Sequence, residues 1–271
     1  MNLDEKIYKK KYLKYKAKYL ELKGGADHSG IWNKEGIYVG SIISDFFSKK
    51  RNGNGKMTYI DNSVYEGNWV NDKREGKGKM TYADKSIYDG DWKDDKRTGK
   101  GKMSYADNSI YDGDWVNDKR EGKGKMTYAD KSIYDGDWKD DKRTGKGKMT
   151  YADNSTYDGD WVDDKYNGKG KMTYVDKSTY DGDWKDGKRE GIGKYIYIKS
   201  EKSGRKYVSQ SCYGTGRRRK CHDNYDDIFT LREAIYEGEW KNNMKDGKGK
   251  LTGDPEKTSV REGNWKEDKP I

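Results

Sequence analysis

The 271-residue sequence predicts an all-β fold, an elongated single-layer antiparallel sheet of tandem β-hairpins preceded by a short N-terminal helix. Three observations predict it. Tyr65, Tyr88, Tyr111, Tyr134, Tyr157 and Tyr180 recur every 23 residues, and Trp69, Trp92, Trp115, Trp138, Trp161 and Trp184 keep the same step. A fixed period of this length marks a stacked array. Within the unit YDGDWKDDKRTGKGKMSYADNSI, Tyr88, Gly90 and Trp92 alternate with Asp89 and Asp91, while Gly101, Met103 and Tyr105 alternate with Lys100, Lys102 and Ser104. Period two is the pattern of a half-buried strand. The two halves are separated by DDKRTG and followed by ADNS, runs of the residue types that shape tight turns.

In chain order, residues 1–25 form a basic amphipathic helix. Tyr8, Tyr12, Tyr15, Tyr19 and Leu22 fall at heptad spacing among lysines, and Gly24 and Gly25 stop the run. Residues 26–37 read as a linker. The hairpin array spans 38–271, about eight or nine units of 23 residues. Its first unit, from Tyr38, has Ile42 where tryptophan is expected and a longer turn through Phe46 and Phe47, as a capping repeat would. Glycine on the same face as tyrosine and tryptophan leaves room for a ring to lie over the neighbouring backbone. That face is therefore packed, and on the other the aspartates of one strand stand beside the lysines of the next, at about 0.2–1 kcal/mol per pair.

The 46 residues from Trp69 to Asp114 recur from Trp115 to Asp160 with two changes, Ser104 to Thr150 and Ile110 to Thr156. Catalysis needs a constellation of groups that occurs once, and a duplicated block offers none. After Gly193 the pattern breaks, and the next Tyr-x-Gly-x-Trp, Tyr236 to Trp240, arrives 33 residues late. The intervening segment, about 199–235, is expected to project as a loop. It holds Cys212, Cys221, His222 and the run Arg217, Arg218, Arg219, Lys220. The last unit has Arg261 in the tyrosine column before Gly263 and Trp265, and reads as the C-terminal cap.

The pattern Y-D/E-G-x-W-x-N/D-x-K-x-x-G-x-G-x-M/L-x-Y resembles the MORN repeat, and the likeness runs from about Tyr38 to Trp265. The resemblance implies an elongated, twisted, single-layer hairpin sheet that serves as a dimeric or oligomeric scaffold. It also brings peripheral binding to anionic lipid as an alternative. The N-terminal segment resembles the lysine- and tyrosine-rich leaders found on many proteins of large DNA viruses.

Only 30% of the residues are hydrophobic and 39% are charged, so the 24 tyrosines and nine tryptophans must supply the buried area. The net charge of +10 lies mostly outside the array: residues 1–23 carry eight lysines against three acids, and 199–235 carry nine basic against five acidic side chains. The unit Tyr88–Ile110 has five of each. Nucleic acid is therefore not expected as a partner. Cys212, Cys221 and His222 fall short of the four ligands of a structural zinc site, so no metal is expected, and free thiols are. No cofactor or catalytic residue is expected either, since the GKGK runs sit inside hairpins and the two histidines make no triad. The chain has no apolar run near 18 residues and no signal-peptide core, which predicts an intracellular protein, in host cytoplasm or a virion if viral.

The expected function is a non-enzymatic scaffold that binds a protein partner or itself through an aromatic strip. That strip comprises Tyr65, Trp69, Tyr82, Tyr88, Trp92, Tyr105, Tyr111, Trp115, Tyr128, Tyr134, Trp138, Tyr151, Tyr157, Trp161, Tyr174, Tyr180, Trp184, Tyr236 and Trp240. A single sheet leaves one side of such a strip open, and an exposed apolar strip marks an interface. Anionic lipid would instead meet the N-terminal helix and the Arg217–Lys220 run.

Overall fold

A computed structural model describes residues 29–32, 36–44, 49–213, 220–253 and 261–271. The chain divides into two compact units, Met1–Ala152 and Asp153–Ile271. The first holds β1 (Ser29–Trp32), β2 (Gly36–Ser44), β3 (Lys49–Tyr59), β4 (Val64–Val70), β5 (Lys73–Thr81), β6 (Ile87–Lys93), β7 (Lys96–Ser104), β8 (Ile110–Val116), β9 (Lys119–Thr127), β10 (Ile133–Lys139) and β11 (Lys142–Thr150). The second holds β12 (Thr156–Val162), β13 (Lys165–Thr173), β14 (Thr179–Lys185), β15 (Lys188–Tyr213), β16 (Lys220–Lys241), β17 (Met244–Thr252), β18 (Arg261–Lys266) and β19 (Lys269–Pro270). Within each unit, strands adjacent in sequence pair antiparallel, so each unit is a sheet of consecutive hairpins. The described residues contain no helix.

Two turns alternate along the chain. The tight one is a two-residue loop, Asp94-Asp95 between β6 and β7, with φ of 48° and 68°. Positive φ at both central residues is the type I′ turn, whose twist matches that of paired strands. Of the run DDKRTG only the two aspartates form the turn; Lys96 to Gly99 belong to β7. The other is a three-residue loop, Ala83-Asp84-Lys85, closed by Tyr82 N–H to Ser86 O at 2.9 Å and Lys85 N–H to Tyr82 O at 3.0 Å. The Asp84 carboxylate accepts both the Ser86 N–H and its hydroxyl, at 2.9 and 2.6 Å. The Ser86 bonds hold that carboxyl below its ordinary pKa.

Register places the packed face. Tyr88 lies opposite Met80 of β5 and Met103 of β7, and Gly90 lies opposite Gly78 and Gly101. A Cβ on Gly101 would collide with the ring of Tyr88, so the ring occupies the space that glycine leaves. Its hydroxyl donates to Asp91 O at 3.0 Å. There the register shifts by a bulge, and the Asp91 carboxylate accepts the Lys100 N–H at 3.0 Å. Trp92 stands edge-on to Tyr88 and Tyr65, centroids 5.2 and 5.4 Å apart, and its indole N–H donates to Gly78 O at 2.9 Å. Edge-to-face pairs contribute about 0.5–1.5 kcal/mol each beyond burial. Such a lattice buries large rings without a second layer. On the other face, Asp89 lies between Lys79 and Lys102, the expected charge alternation.

Three expectations are corrected or fall outside the described residues. The segment 199–235 is not a loop: β15 and β16 continue past the array as a paired ribbon from Ile196↔Ile235 to Tyr213↔Lys220. Stretches such as Tyr-Ile-Tyr-Ile at 195–198 and Ile-Phe-Thr-Leu at 228–231 are strand formers, and their pairing satisfies backbone groups a loop would leave to water. The linker 26–37 contains β1 and the start of β2, with Trp32 opposite Gly36. The N-terminal helix, residues 1–25, lies outside the described residues, as do Phe46 and Phe47.

Candidate interaction surface

The sheet disposes of the predicted strip in two ways. The first tyrosine column (Tyr65, Tyr88, Tyr111, Tyr134, Tyr157, Tyr180, Tyr236) is 0% exposed, and the tryptophans from Trp69 to Trp240 are at most 5% exposed. Their own repeats cover these rings, so no second molecule is needed to do it. Burial pushes the Tyr38 and Tyr236 phenols up to about 12, and those of Tyr65, Tyr88, Tyr111 and Tyr180 higher still. The second column, Tyr82, Tyr105, Tyr128, Tyr151 and Tyr174, is half-buried and keeps an accessible surface.

An arginine column is interleaved with the accessible tyrosines. Arg74 spreads its guanidinium over Trp92, 4.2 Å from the ring centroid. It donates from Nε to Asp95 Oδ1 at 3.0 Å and from a terminal nitrogen to Asp95 O at 2.8 Å. The Arg74 N–H donates to the same Oδ1, and Asp95 N–H donates back to Arg74 O. The Asp94-Asp95 turn is thus latched to the preceding repeat, 21 residues away. The latch recurs as Arg51–Asp72, Arg97–Asp118 and Arg120–Asp141. The phenols of Tyr82 and Tyr105 are pushed up by burial, with Arg97 and Arg74, and Arg120 and Arg97, pulling the other way. Tyr82 and Tyr105 therefore each sit between two guanidiniums.

Sequence reasoning passed over these arginines, although a signal was there. Between residues 49 and 198 every arginine falls in one 23-residue column, while the remaining basic positions are lysine. A planar fork that both stacks and pairs is what lysine cannot supply. The column breaks once. Tyr166 replaces the arginine and Gly187 replaces the turn aspartate, leaving Gly187 N–H to Tyr166 O at 2.9 Å. Tyr166 instead stacks on Tyr157, centroids 3.9 Å apart, and meets Trp161 and Trp184 edge-on.

In the first unit this face opens into a groove of about 670 Å³ lined by Arg51, Tyr59, Ile60, Trp69, Arg74 and Met80, with Asp61, Ser63, Asp72 and Asp95. Ile60 stands where the next four repeats have alanine and is 44% exposed. Rings, a thioether and an aliphatic chain with arginine and carboxylate beside them suit an extended peptide, apolar side chains with intervening backbone groups. On the opposite face Lys77–Asp91, Lys100–Asp114 and Lys123–Asp137 pair at 2.6–2.7 Å, contributing little each because the lysines are exposed.

The family model for the MORN repeat matches residues 44–64, 65–87, 88–110, 111–133, 134–156, 157–179, 180–200 and 236–254, well over half of the chain. The chain belongs to the MORN-repeat family. From the second on, the matched MORN units begin at the buried tyrosine column, and the gap between the last two is the β15–β16 ribbon. No curated protein matches the sequence. Among solved structures, this MORN chain is similar to the SAS-4 (dCPAP) TCP domain of Drosophila melanogaster in complex with a proline-rich motif of Ana2, at 15% identity over 56% of this chain and 82% of that one, TM-score 0.34. It is also similar to the TCP10 domain of Danio rerio CPAP with a STIL peptide, at 9% identity over 89% and 100%, TM-score 0.38. Scores this low fall below a shared overall fold, and nothing is carried over from those proteins.

Of the other predicted positions, Arg217, Arg218 and Arg219 lie outside the described residues, and Lys220 opens β16 opposite Tyr213. No cluster of His, Cys, Asp and Glu poised for a metal occurs among the described residues. Among them, too, no helix is long and apolar enough to cross a membrane.

Proposed function

We propose that the MORN array is a non-enzymatic scaffold that binds an extended segment of a partner protein along its tyrosine–arginine row. The observation that carries this reading is the groove at Tyr59, Ile60 and Arg74, where the row is open while the neighbouring Tyr and Trp columns are sealed. Tyrosine and arginine bind well because they offer large, rigid or planar contact area at low entropic cost. Self-association through the aromatic strip has less to gain, because the buried columns leave little apolar surface for it to cover.

The test uses a displayed library of random peptides against the full chain and an Ile60→Asp, Tyr59→Ser variant whose circular dichroism matches the parent. Peptides enriched on the parent are expected to lose binding to the variant at least tenfold. Enriched peptides that bind both equally would move the site elsewhere, and a solution mass by light scattering that is dimeric and salt-resistant would favour self-assembly instead.

A further inference from the structure

We propose that Cys212 and Cys221 form a reversible cross-strand disulfide at the far end of the β15–β16 ribbon. The two residues are direct register partners, flanked by Ser211↔His222 and Tyr213↔Lys220. Opposed residues of an antiparallel pair have Cα atoms about 5.5 or 4.5 Å apart, depending on the hydrogen-bonding site. Disulfides span Cα separations of about 4.4–6.8 Å, so either kind of site admits the bond. Opposed positions also share a face of the sheet.

The ribbon has use for a cross-link. β14 pairs with β15 only as far as Ile196, and β17 pairs with β16 only from Ile235, so among the described residues the two strands pair beyond these points only with each other. A two-stranded ribbon is marginal in water. This one is also interrupted by register shifts at Lys202/Gly204 and Tyr207/Ser209, both between the array and the cysteines. A bond at Cys212–Cys221 fixes the register at the end where neighbouring strands do not.

The oxidant is a small disulfide such as oxidised glutathione. One cysteine thiolate attacks it, forming a mixed disulfide and releasing one glutathione thiolate. The opposed cysteine thiolate then attacks the protein-bound sulfur, closes the Cys212–Cys221 bond and releases the second. Two protein thiols lose two electrons, one glutathione disulfide gains them, and the two cysteine protons end on the two released thiols. Because the second thiol is held opposite the first, the mixed disulfide is short-lived.

The full chain equilibrated across a series of oxidised-to-reduced glutathione ratios, acid-quenched, alkylated and weighed by mass spectrometry tests this. The expected result is one two-electron transition between a doubly alkylated chain and an unalkylated chain two hydrogens lighter than the reduced protein. Cys212→Ser and Cys221→Ser should each take up one glutathione instead. Amide exchange in the ribbon, residues 204–228, should slow at least several-fold on oxidation of the parent. A parent carrying two glutathiones, two independently titrating thiols, or a disulfide-linked dimer would overturn the proposal.

Discussion

Gly101 and Tyr88 show how a residue with no side chain fixes one of the largest. The ring cannot retreat: its hydroxyl is bonded to Asp91 O, and Trp92 and Trp115 meet its edges at 5.2 and 5.4 Å. Gly101→Ala should therefore cost about 1–3 kcal/mol, read as a shift in denaturant midpoint at unchanged slope. Gly263→Ala, where an added Cβ meets nothing within 4 Å, should stay within about 0.5 kcal/mol. Equal effects would refute the packing account. The same burial sets the alkaline limit of the fold. A phenol whose pKa is raised from 10 to about 12 in the folded state, as at Tyr38 and Tyr236, contributes stability that is complete below pH 10 and lost as pH rises through the folded value. Phenolate absorbance and the β signal in circular dichroism should change together above pH 10, whereas full titration near 10 with the fold intact would speak against it. Most of this was legible: alternation of Tyr, Gly and Trp against Asp and Lys gave the packed and wet faces. What was not legible is that the rings would seal themselves, because edge-to-face contact between repeats is a matter of register and twist that a column of letters does not contain.

Between elements, each arginine latch ties a hairpin to the one before it. Its replacement at Tyr166 and Gly187 makes a test. Restoring Tyr166→Arg and Gly187→Asp together should recover a guanidinium–carboxylate pair, and a double-mutant cycle should show a favourable coupling of about 1 kcal/mol. Tyr166→Arg alone should destabilise, since it removes the stack on Tyr157 and finds no carboxylate. Additive single effects would mean that the two positions do not communicate. The hairpins themselves were readable from Asp, Asn, Gly and Ser at the turns, although the tight turn proved to be two residues rather than six, because aspartate and asparagine accept positive φ and let the strands run to the turn. The ribbon at 199–235 reads as a loop in the sequence for the opposite reason. Its pairing follows no repeat, so only the strand-forming residues near Ile196 and Ile235 hinted at it.

At the scale of the whole molecule, stability should scale with the number of repeats, since within each compact unit a repeat contacts its neighbours in sequence. Excising Trp69–Asp114 joins Asn68 to Trp115 and leaves every column in step. The shortened chain is expected to fold, with circular dichroism per residue unchanged and a denaturant slope reduced with the surface removed; an aggregated or unfolded product would show that the blocks are not interchangeable. Interchangeability also has a drawback during folding. A strand from one 46-residue block meets an almost identical partner in the other, so a slipped hairpin satisfies the tyrosine, tryptophan and glycine columns as well as the native one does. The chain can tell such a slip apart only where a column changes. Tyr166 and Gly187 change it on both sides of one junction: an arginine brought beside Gly187 finds no charge, and Tyr166 brought beside an aspartate turn offers none. The pair that forgoes the latch gives that junction an address, a means of counting along a sequence that otherwise repeats itself.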